Sequence, residues 1–93
     1  MLPSKMRELI VSQRFKRSLK HFFKKHPELI VVFGKKLKIL QSNLYDQTLK
    51  THKLTGTLKG HLAISITYEY RLVFEINQES IILHAIGGHD EVY

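Results

Sequence analysis

Two histidines and an arginine are the residues of this chain best suited to chemistry. His52 precedes one predicted strand, Glu69 and Arg71 lie at the start of the next, and His89 and Tyr93 follow the last. If these strands are neighbours in one sheet, residues distant in sequence meet at one face or edge of it. Such a group suits acid–base cleavage of RNA, which supplies its own 2′-hydroxyl nucleophile. One side chain takes the hydroxyl proton, another protonates the leaving 5′-oxygen, and a cation stabilises the phosphorane charge.

The same residues also fit simpler structural roles. Glu69 and Arg71 would serve equally in a cross-strand charge arrangement, worth a few tenths of a kcal/mol. His52 and His89 would then be polar residues at strand ends. The residue types alone leave both interpretations open.

Motifs for metals, cofactors and covalent nucleophiles are missing from the sequence. The six histidines lack the helical i, i+4 spacing beside a glutamate that is typical of zinc enzymes, and the chain has no cysteine. The paired glycines at 56/60 and 87/88 do not form a phosphate-cradling loop, and no nucleophile elbow is present. We therefore expect neither a metal site nor a cofactor.

The N-terminal half carries the signals of one strand and two helices. Residues 7–12 contain the apolar and largely β-branched run Leu9–Val11, as in a strand, and Ser12 can cap the helix that follows. Aromatic and aliphatic residues at three- and four-residue spacing give that helix a buried stripe. Pro27 suits the first position of a second helix, which Asn43 would end, and residues 41–50 form a polar connection.

The C-terminal half alternates with the period of strands. Residues 62–66 and 70–76 alternate, residues 81–86 are nearly all apolar, and 77–80 form a hairpin loop. Gly87 and Gly88 would release the last strand into the tail. The element order predicts an α+β fold: an N-terminal strand, a two-helix hairpin and a three-stranded antiparallel meander, forming one sheet with the helices on one face.

Composition describes one basic globular domain over residues 1–93. Fifteen Lys plus Arg against eight Asp plus Glu give a net charge of +7. This balance favours a polyanionic partner, with nucleic acid first, an anionic membrane second and an acidic protein also compatible. The longest clean apolar run, Leu29–Phe33, is far shorter than the ~20 residues that span a bilayer. The N-terminus lacks a signal-peptide pattern, so we expect no membrane partner and a cytoplasmic location.

Three motifs in the second half of the chain stand out. They are His52-x-Leu54-x-Gly56-x-Leu58-Lys59-Gly60, Tyr70–Ile76 (YRLVFEI) and Ile86–Tyr93 (IGGHDEVY). Together they resemble the RelE/ParE toxin superfamily, and most closely its YafQ-like branch. The element order is similar over nearly the whole chain, whereas the motif-level likeness is confined to residues 52–93.

The resemblance implies a RelE-like fold and a toxin of a bacterial type II toxin–antitoxin system. It would be an mRNA interferase that cleaves mRNA in the ribosomal A site without metal, through a 2′,3′-cyclic phosphate. Its partners would be the ribosome, mRNA and a neutralising cognate antitoxin.

The resemblance also implies roles for individual residues. His52 and His89 match the catalytic histidines of the branch, and Arg71 matches a strand arginine that holds the scissile phosphate in RelE-like nucleases. Glu69 stands where an aspartate is usual and would assist or orient the reaction. Tyr93 matches a tail aromatic that would stack on a base or position His89. The residues expected to contact RNA are Lys35, Lys36, Lys38, Lys53, Lys59 and Tyr70, the last where a tryptophan is common.

One position departs from the YafQ-like pattern. Ser65 stands where the branch has a further histidine, and a serine cannot shuttle a proton at neutral pH. In a regular strand an even offset places His61 on the same face as Ser65, so we expect His61 to substitute partly.

Two other activities are compatible with the resemblance. A ParE-like protein would inhibit DNA gyrase and cleave nothing, although histidines at the nuclease positions favour cleavage. A degenerate toxin would retain antitoxin binding alone, and Ser65 is the residue that raises this alternative.

Overall fold

The computed structural model describes residues 6–93, which form a five-stranded sheet and two long helices. The spatial order of the strands is β1-β5-β4-β3-β2. β1 runs parallel to β5, and every other neighbouring pair is antiparallel. Short 3₁₀ turns cover 27–29, 47–49 and 56–58. The strands are β1 (Glu8–Val11), β2 (His52–Lys53), β3 (Leu62–Ser65), β4 (Tyr70–Ile76) and β5 (Ser80–Gly88), and the helices are α1 (Gln13–Lys25), α2 (Ile30–Ser42) and α3 (His89–Val92).

The helix boundaries follow the capping residues that the sequence predicts. The Ser12 hydroxyl oxygen accepts a hydrogen bond from the backbone N–H of Phe15 at 3.0 Å, which satisfies a free donor at the start of α1. Pro27 occupies the start of the 3₁₀ turn before α2, where its missing N–H costs nothing. Asn43 is the C-terminal cap of α2. The predictions for Ser12 and Asn43 are confirmed, whereas α2 begins at Ile30, three residues after the position predicted from Pro27.

The core lies between the helices and one side of the sheet, which we call the helix face. Ile64, Leu72 and Phe74 point to this face and pack with Phe15 and Phe33 of the helices. Their neighbours along β3 and β4 point to the opposite side, which we call the open face. The register fixes which residues share the open face: Ala63 lies opposite His52 and Val73, and Ser65 lies opposite Arg71.

A β-bulge interrupts the pairing of β4 with β5. Val73 pairs with Ala85, but the next residue of β4 pairs with Leu83, so His84 is an extra residue on β5. A bulge shifts the alternation of side chains by one position. As a result Ile86 reaches the helix face, while Ala85 lies on the open face.

The predicted α+β fold is confirmed in its main features and corrected in its details. The N-terminal strand, the helical pair and the antiparallel meander with helices on one face are all present. The prediction of a single strand before the meander was wrong, because β2 adds a fifth strand. The glycines at 87 and 88 do not release the chain: they end β5, and His89 begins α3. No helix within residues 6–93 is long and apolar enough to cross a bilayer.

Candidate active site

His52 is held on β2 in a defined tautomer. Its Nδ1 lies 3.1 Å from the backbone carbonyl oxygen of Lys50. Because a carbonyl can only accept, Nδ1 carries the proton, and Nε2 of the neutral ring carries the lone pair that can accept one. The Tyr93 hydroxyl lies 3.3 Å from this Nε2 and donates a long hydrogen bond to it. His52 is exposed, so its basic nitrogen is accessible from the open face.

The C-terminal helix α3 brings His89 to the same place. The Glu91 carboxylate accepts a hydrogen bond from the backbone N–H of Gly88 at 2.9 Å, which fixes the start of α3. His89 and Tyr93 are one helical turn apart, and their rings meet edge to face with centroids 4.4 Å apart. The Tyr93 ring is also 6.4 Å from that of His52. Tyr93 therefore connects the two histidines.

Arg71 is anchored by the turn between β3 and β4. Its Nη1 donates hydrogen bonds to the carbonyl oxygens of Thr67 and Tyr68, each at 2.7 Å. The guanidinium also affects Tyr93: burial raises the pKa of the Tyr93 hydroxyl, and the Arg71 charge opposes that rise in part. A phenol is already protonated at neutral pH at its ordinary pKa, so with or without this rise the Tyr93 hydroxyl can donate to His52.

Arg71 and two lysines form a recess that we call the cationic pocket. It has a volume of about 290 Å³. The Lys36 ammonium reaches it from α2 and donates to the Thr48 carbonyl oxygen at 2.5 Å. Its described lining includes three cations and no carboxylate, so the recess suits an anion such as a phosphate. The lining residues are Lys36, Thr48, Lys50, Ser65, Ile66, Thr67, Tyr68 and Arg71.

Glu69 and Tyr70 lie apart from the two histidines, Tyr93 and the cationic pocket. Tyr70 lies on the helix face, where its ring packs against Phe22 and His26 with centroid distances of 5.2 and 4.7 Å. Burial, followed by the charge of Glu69, raises the pKa of the Tyr70 hydroxyl. Glu69 itself is exposed in the turn, and its carboxylate makes no hydrogen bond or ion pair to residues 6–93. The structure therefore separates the expected RNA contact Tyr70 from Arg71.

Of the predicted RNA-binding lysines, Lys36 alone lines the cationic pocket. Lys35 and Lys38 are exposed on α2. Lys53 and Lys59 line a different, largely apolar recess of about 740 Å³ near the β2 edge of the sheet. Lys53 pairs with Leu62, a core residue, so its side chain starts from the helix face rather than from the face of His52.

His61 does not occupy the position that Ser65 leaves. Ser65 is buried opposite Arg71 and lines the cationic pocket. His61 does share the open face with it, but four residues at ~3.3 Å each place the two ~13 Å apart along the strand. The described contacts of the His61 side chain are with Glu75 and His84. The expected substitution is therefore not supported by the geometry.

Several residues at or near the site were missed from the sequence. Lys50 supplies both the carbonyl that orients His52 and a cation of the pocket. It adopts a left-handed backbone with φ of 52°, which a lysine does not signal in advance. Glu75 and His84 form a second polar group with His61: the hydrogen bond from His84, followed by the charges of both histidines, lowers the pKa of the Glu75 carboxyl.

Comparisons with known proteins give one family and several similar folds. Residues 7–93 match the family model described as a bacterial toxin of type II toxin-antitoxin system, YafQ. No curated protein matches the chain in sequence. Several solved toxin structures share the fold at low sequence identity.

Three of these structures illustrate the likeness. A copper-bound mutant toxin from Helicobacter pylori has a TM-score of 0.76 and 20% identity, covering 95% of this chain and 100% of that one. The YafQ toxin of the E. coli DinJ-YafQ toxin-antitoxin complex has a TM-score of 0.77 and 17% identity, covering 95% and 98%. The matching chain of the YoeB-YefM complex from Staphylococcus aureus has a TM-score of 0.73 and 21% identity, covering 89% and 97%. At these identities the structures establish the fold alone.

Proposed function

Because the chain belongs to the YafQ family of bacterial type II toxins, we propose that it is a ribosome-dependent mRNA interferase neutralised by a cognate antitoxin. It would act in the cytoplasm, where its substrate is translated. The observation that carries the proposal is the line His52, Tyr93, His89 beside the cationic pocket. This arrangement offers two proton-transfer groups next to a phosphate-binding recess, since Lys50 both contacts His52 and lines the pocket.

The cationic pocket would hold the scissile phosphate. Arg71 is fixed by two carbonyl oxygens, so its guanidinium is positioned before the substrate arrives. Lys36 and Lys50 add two charges to the same recess. Arg71 pairs with Gly87, two residues before His89, and Lys50 holds His52, so a phosphate bound there would lie near the two histidines. Preorganised cations of this kind stabilise the extra charge of a phosphorane.

His52 would act as the general base and His89 as the general acid. Nε2 of His52 has a free lone pair and would take the proton of the 2′-hydroxyl, whose oxygen attacks the phosphorus. Protonated His89 would give its proton to the departing 5′-oxygen. The products are a 2′,3′-cyclic phosphate and a 5′-hydroxyl end. Before the reaction the hydrogen bond from the Tyr93 hydroxyl to His52 Nε2 must break, so that Nε2 can contact the substrate. At 3.3 Å this hydrogen bond is long and therefore weak.

The partners follow from the family and from charge. Related toxins have been solved as the DinJ-YafQ and YoeB-YefM complexes, each named for a toxin and a second protein. We expect an antitoxin to bind this chain in the same way, and the net charge of +7 favours an acidic segment in it. The same charge favours docking on ribosomal RNA, where the exposed Lys35 and Lys38 would contribute.

Cleavage in a bacterial translation extract tests the proposal. Message ends are mapped with wild type, His52→Ala, His89→Ala and the control His21→Ala, which changes an exposed histidine of α1. We expect A-site cleavage by wild type and by the control, and a loss of about 100-fold or more in the other two, because general acid–base groups contribute ~10²–10⁴-fold. Naked RNA should be cut far more slowly.

Two results would overturn the proposal. Undiminished cleavage by His52→Ala and His89→Ala would remove both histidines from the mechanism. Intact message with wild-type protein, accompanied by inhibited DNA supercoiling, would show a toxin that is not a nuclease.

A further inference from the structure

Three side chains able to bind a metal ion meet on the open face, outside the proposed active site. They are His61, which directly precedes β3, Glu75 of β4 and His84 of β5. Nε2 of His84 lies 3.0 Å from one Glu75 carboxylate oxygen, and Nε2 of His61 lies 3.8 Å from the other. The two imidazole rings have centroids 4.7 Å apart. One ligand atom from each residue lies within 4.8 Å of the other two.

The sheet holds these groups together without help from a ligand. Glu75 pairs with Ile82 across β4 and β5, and His84 is the extra residue of the bulge. The bulge delivers its imidazole to the Glu75 carboxylate on the open face, a way in which bulges redirect side chains. His61 arrives from the other neighbour of β4, since Leu62 pairs with Phe74. Three adjacent chain segments therefore each contribute one ligand.

His61 lacks a hydrogen-bond partner for either ring nitrogen among residues 6–93. Its Nδ1 is buried and unpaired. Its Nε2 approaches Glu75 at 3.8 Å, which is too long for a hydrogen bond. Nε2 is the nitrogen that faces the carboxylate and is therefore the one that an ion would bind, whereas the buried Nδ1 would keep the ring proton. An ion between Nε2 and the carboxylate would give this imidazole a strong interaction.

The donor set selects the class of ion. Two imidazole nitrogens and one carboxylate oxygen suit borderline divalent ions, of which zinc is the commonest protein partner. Ligand bonds of ~2.0–2.2 Å in a tetrahedral site separate the donor atoms by roughly 3.4 Å. The His84–Glu75 and His61–Glu75 separations of 3.0 and 3.8 Å lie on either side of that value. Small side-chain rotations would therefore bring the donor atoms to the distances that an ion requires. The Glu75 and His84 side chains are 42% and 37% exposed, which leaves an entry path and a position for water.

We propose that His61, Glu75 and His84 form a binding site for a divalent transition-metal ion, with zinc as the preferred occupant. The ion would join β3, β4 and β5 across the open face. Helical spacing of histidines predicted no such site, because the ligands come from three chain segments rather than one helix. The site is separate from the proposed nuclease group, so its occupancy does not depend on that activity.

Metal titration of the full chain, stripped with chelator and dialysed, tests this site. Cobalt is the spectroscopic probe, because a tetrahedral site gives strong visible absorption, and zinc binding is measured by calorimetry. The variants are His84→Ala, Glu75→Gln and the matched control His21→Ala. We expect about one ion per chain, affinity weakened at least about 30-fold in both cluster variants, and no change in the control. Zinc should also raise the Tm of wild type and control by several degrees, and that of the cluster variants less.

Glu75→Gln keeps the side-chain shape, so it stays informative even if His84→Ala affects folding. Absence of stoichiometric binding by wild type would overturn the site. Binding that survives in both cluster variants but is lost in His89→Ala would place the ion at the proposed catalytic histidines and would equally overturn the assignment. The first result leaves the cleavage experiment unaffected, since that experiment depends on other residues.

Discussion

Tyr93 controls the resting state of the proposed base. Its hydroxyl donates to the one nitrogen of His52 that can accept a proton, while its ring packs edge-on against His89. A phenol is protonated across the neutral range at its ordinary pKa, and burial raises the pKa of this hydroxyl further. Tyr93 therefore orders both histidines but transfers no proton in the proposed reaction. It is a positioning residue, and its hydroxyl and its ring make separable contributions.

Substitution of Tyr93 by phenylalanine separates those two contributions. Tyr93→Phe removes the hydrogen bond to His52 and keeps the ring against His89. Because this hydrogen bond must break before Nε2 takes the substrate proton, its removal should raise the cleavage rate, by roughly fivefold at most for a bond of about 1 kcal/mol. Tyr93→Ala also removes the ring that orders His89 and should lose activity, while the stability of both variants changes little because the residue is half-exposed. Single-turnover cleavage with ribosome-bound message measures the rates; equal rates in the two variants would show that the ring contributes nothing.

The sequence predicts which candidate residues meet better than it predicts their surroundings. His52 and His89 both contact Tyr93, as the strand order and the position of the tail indicate, whereas the hydrogen bonds of Arg71 go to the turn after β3. Tyr70 was assigned to the RNA surface by resemblance alone, and strand alternation turns it to the helix face instead. Lys50 was overlooked, since neither its left-handed backbone nor its carbonyl contact leaves a signal in the residue types.

The turn after β2 depends on glycine, whereas the glycine of α2 does not. Gly56 has a φ of +67° and Gly60 a φ of +95°, conformations that L side chains rarely adopt. Gly34 lies inside a helix, and a methyl group there would meet no atom within 4 Å. The two kinds of glycine should thus respond in opposite ways to the same substitution.

Gly34→Ala should stabilise the protein and Gly56→Ala should destabilise it. Alanine in an exposed helix interior gains up to ~1 kcal/mol over glycine. At Gly56 the left-handed backbone costs about 1–2 kcal/mol, and the surroundings offer no clash that would add to it. For a domain of this size, 1 kcal/mol corresponds to a Tm shift of ~4–8 °C. Urea unfolding measures both; a destabilised Gly34→Ala would show that α2 needs a bend at that residue.

Helices and strands that are long enough to show a hydrophobic periodicity can be predicted from the sequence. Very short strands and β-bulges cannot. α1, α2 and β4 have seven or more residues of consistent periodicity, and their caps or turns are marked. β2 has two residues, too few for an alternation to show, and is defined by pairing with β3. The bulge at His84 is equally hidden, because every residue from Ile81 to Ile86 except His84 is apolar and either register is compatible with the pattern.

The charge of the whole molecule would act at two ranges. A net charge of +7 attracts RNA of any sequence from a distance, an effect that salt weakens. In the cationic pocket, three of the positive charges line one recess of about 290 Å³. Lys35 and Lys38 lie on the exposed side of the same helix as Lys36. Two positive charges can therefore be removed either from the cationic pocket or from the exposed surface, and the net charge of the protein changes by the same amount. Contributions from the pocket and from the general field can therefore be separated.

Salt dependence of binding to a short single-stranded RNA distinguishes the two. Each neutralised phosphate contributes ~0.7 to the slope of log affinity against log salt, so Lys36→Gln combined with Lys50→Gln should lower the slope by about 1.4. The matched pair Lys35→Gln with Lys38→Gln removes the same charge from solvated positions and should change the slope by clearly less. Fluorescence anisotropy at several salt concentrations gives both slopes, with His89→Ala present in every protein to prevent cleavage. Equal slopes for the two pairs would mean that the pocket binds RNA no differently from the rest of the basic surface, and the phosphate would then have to be held elsewhere.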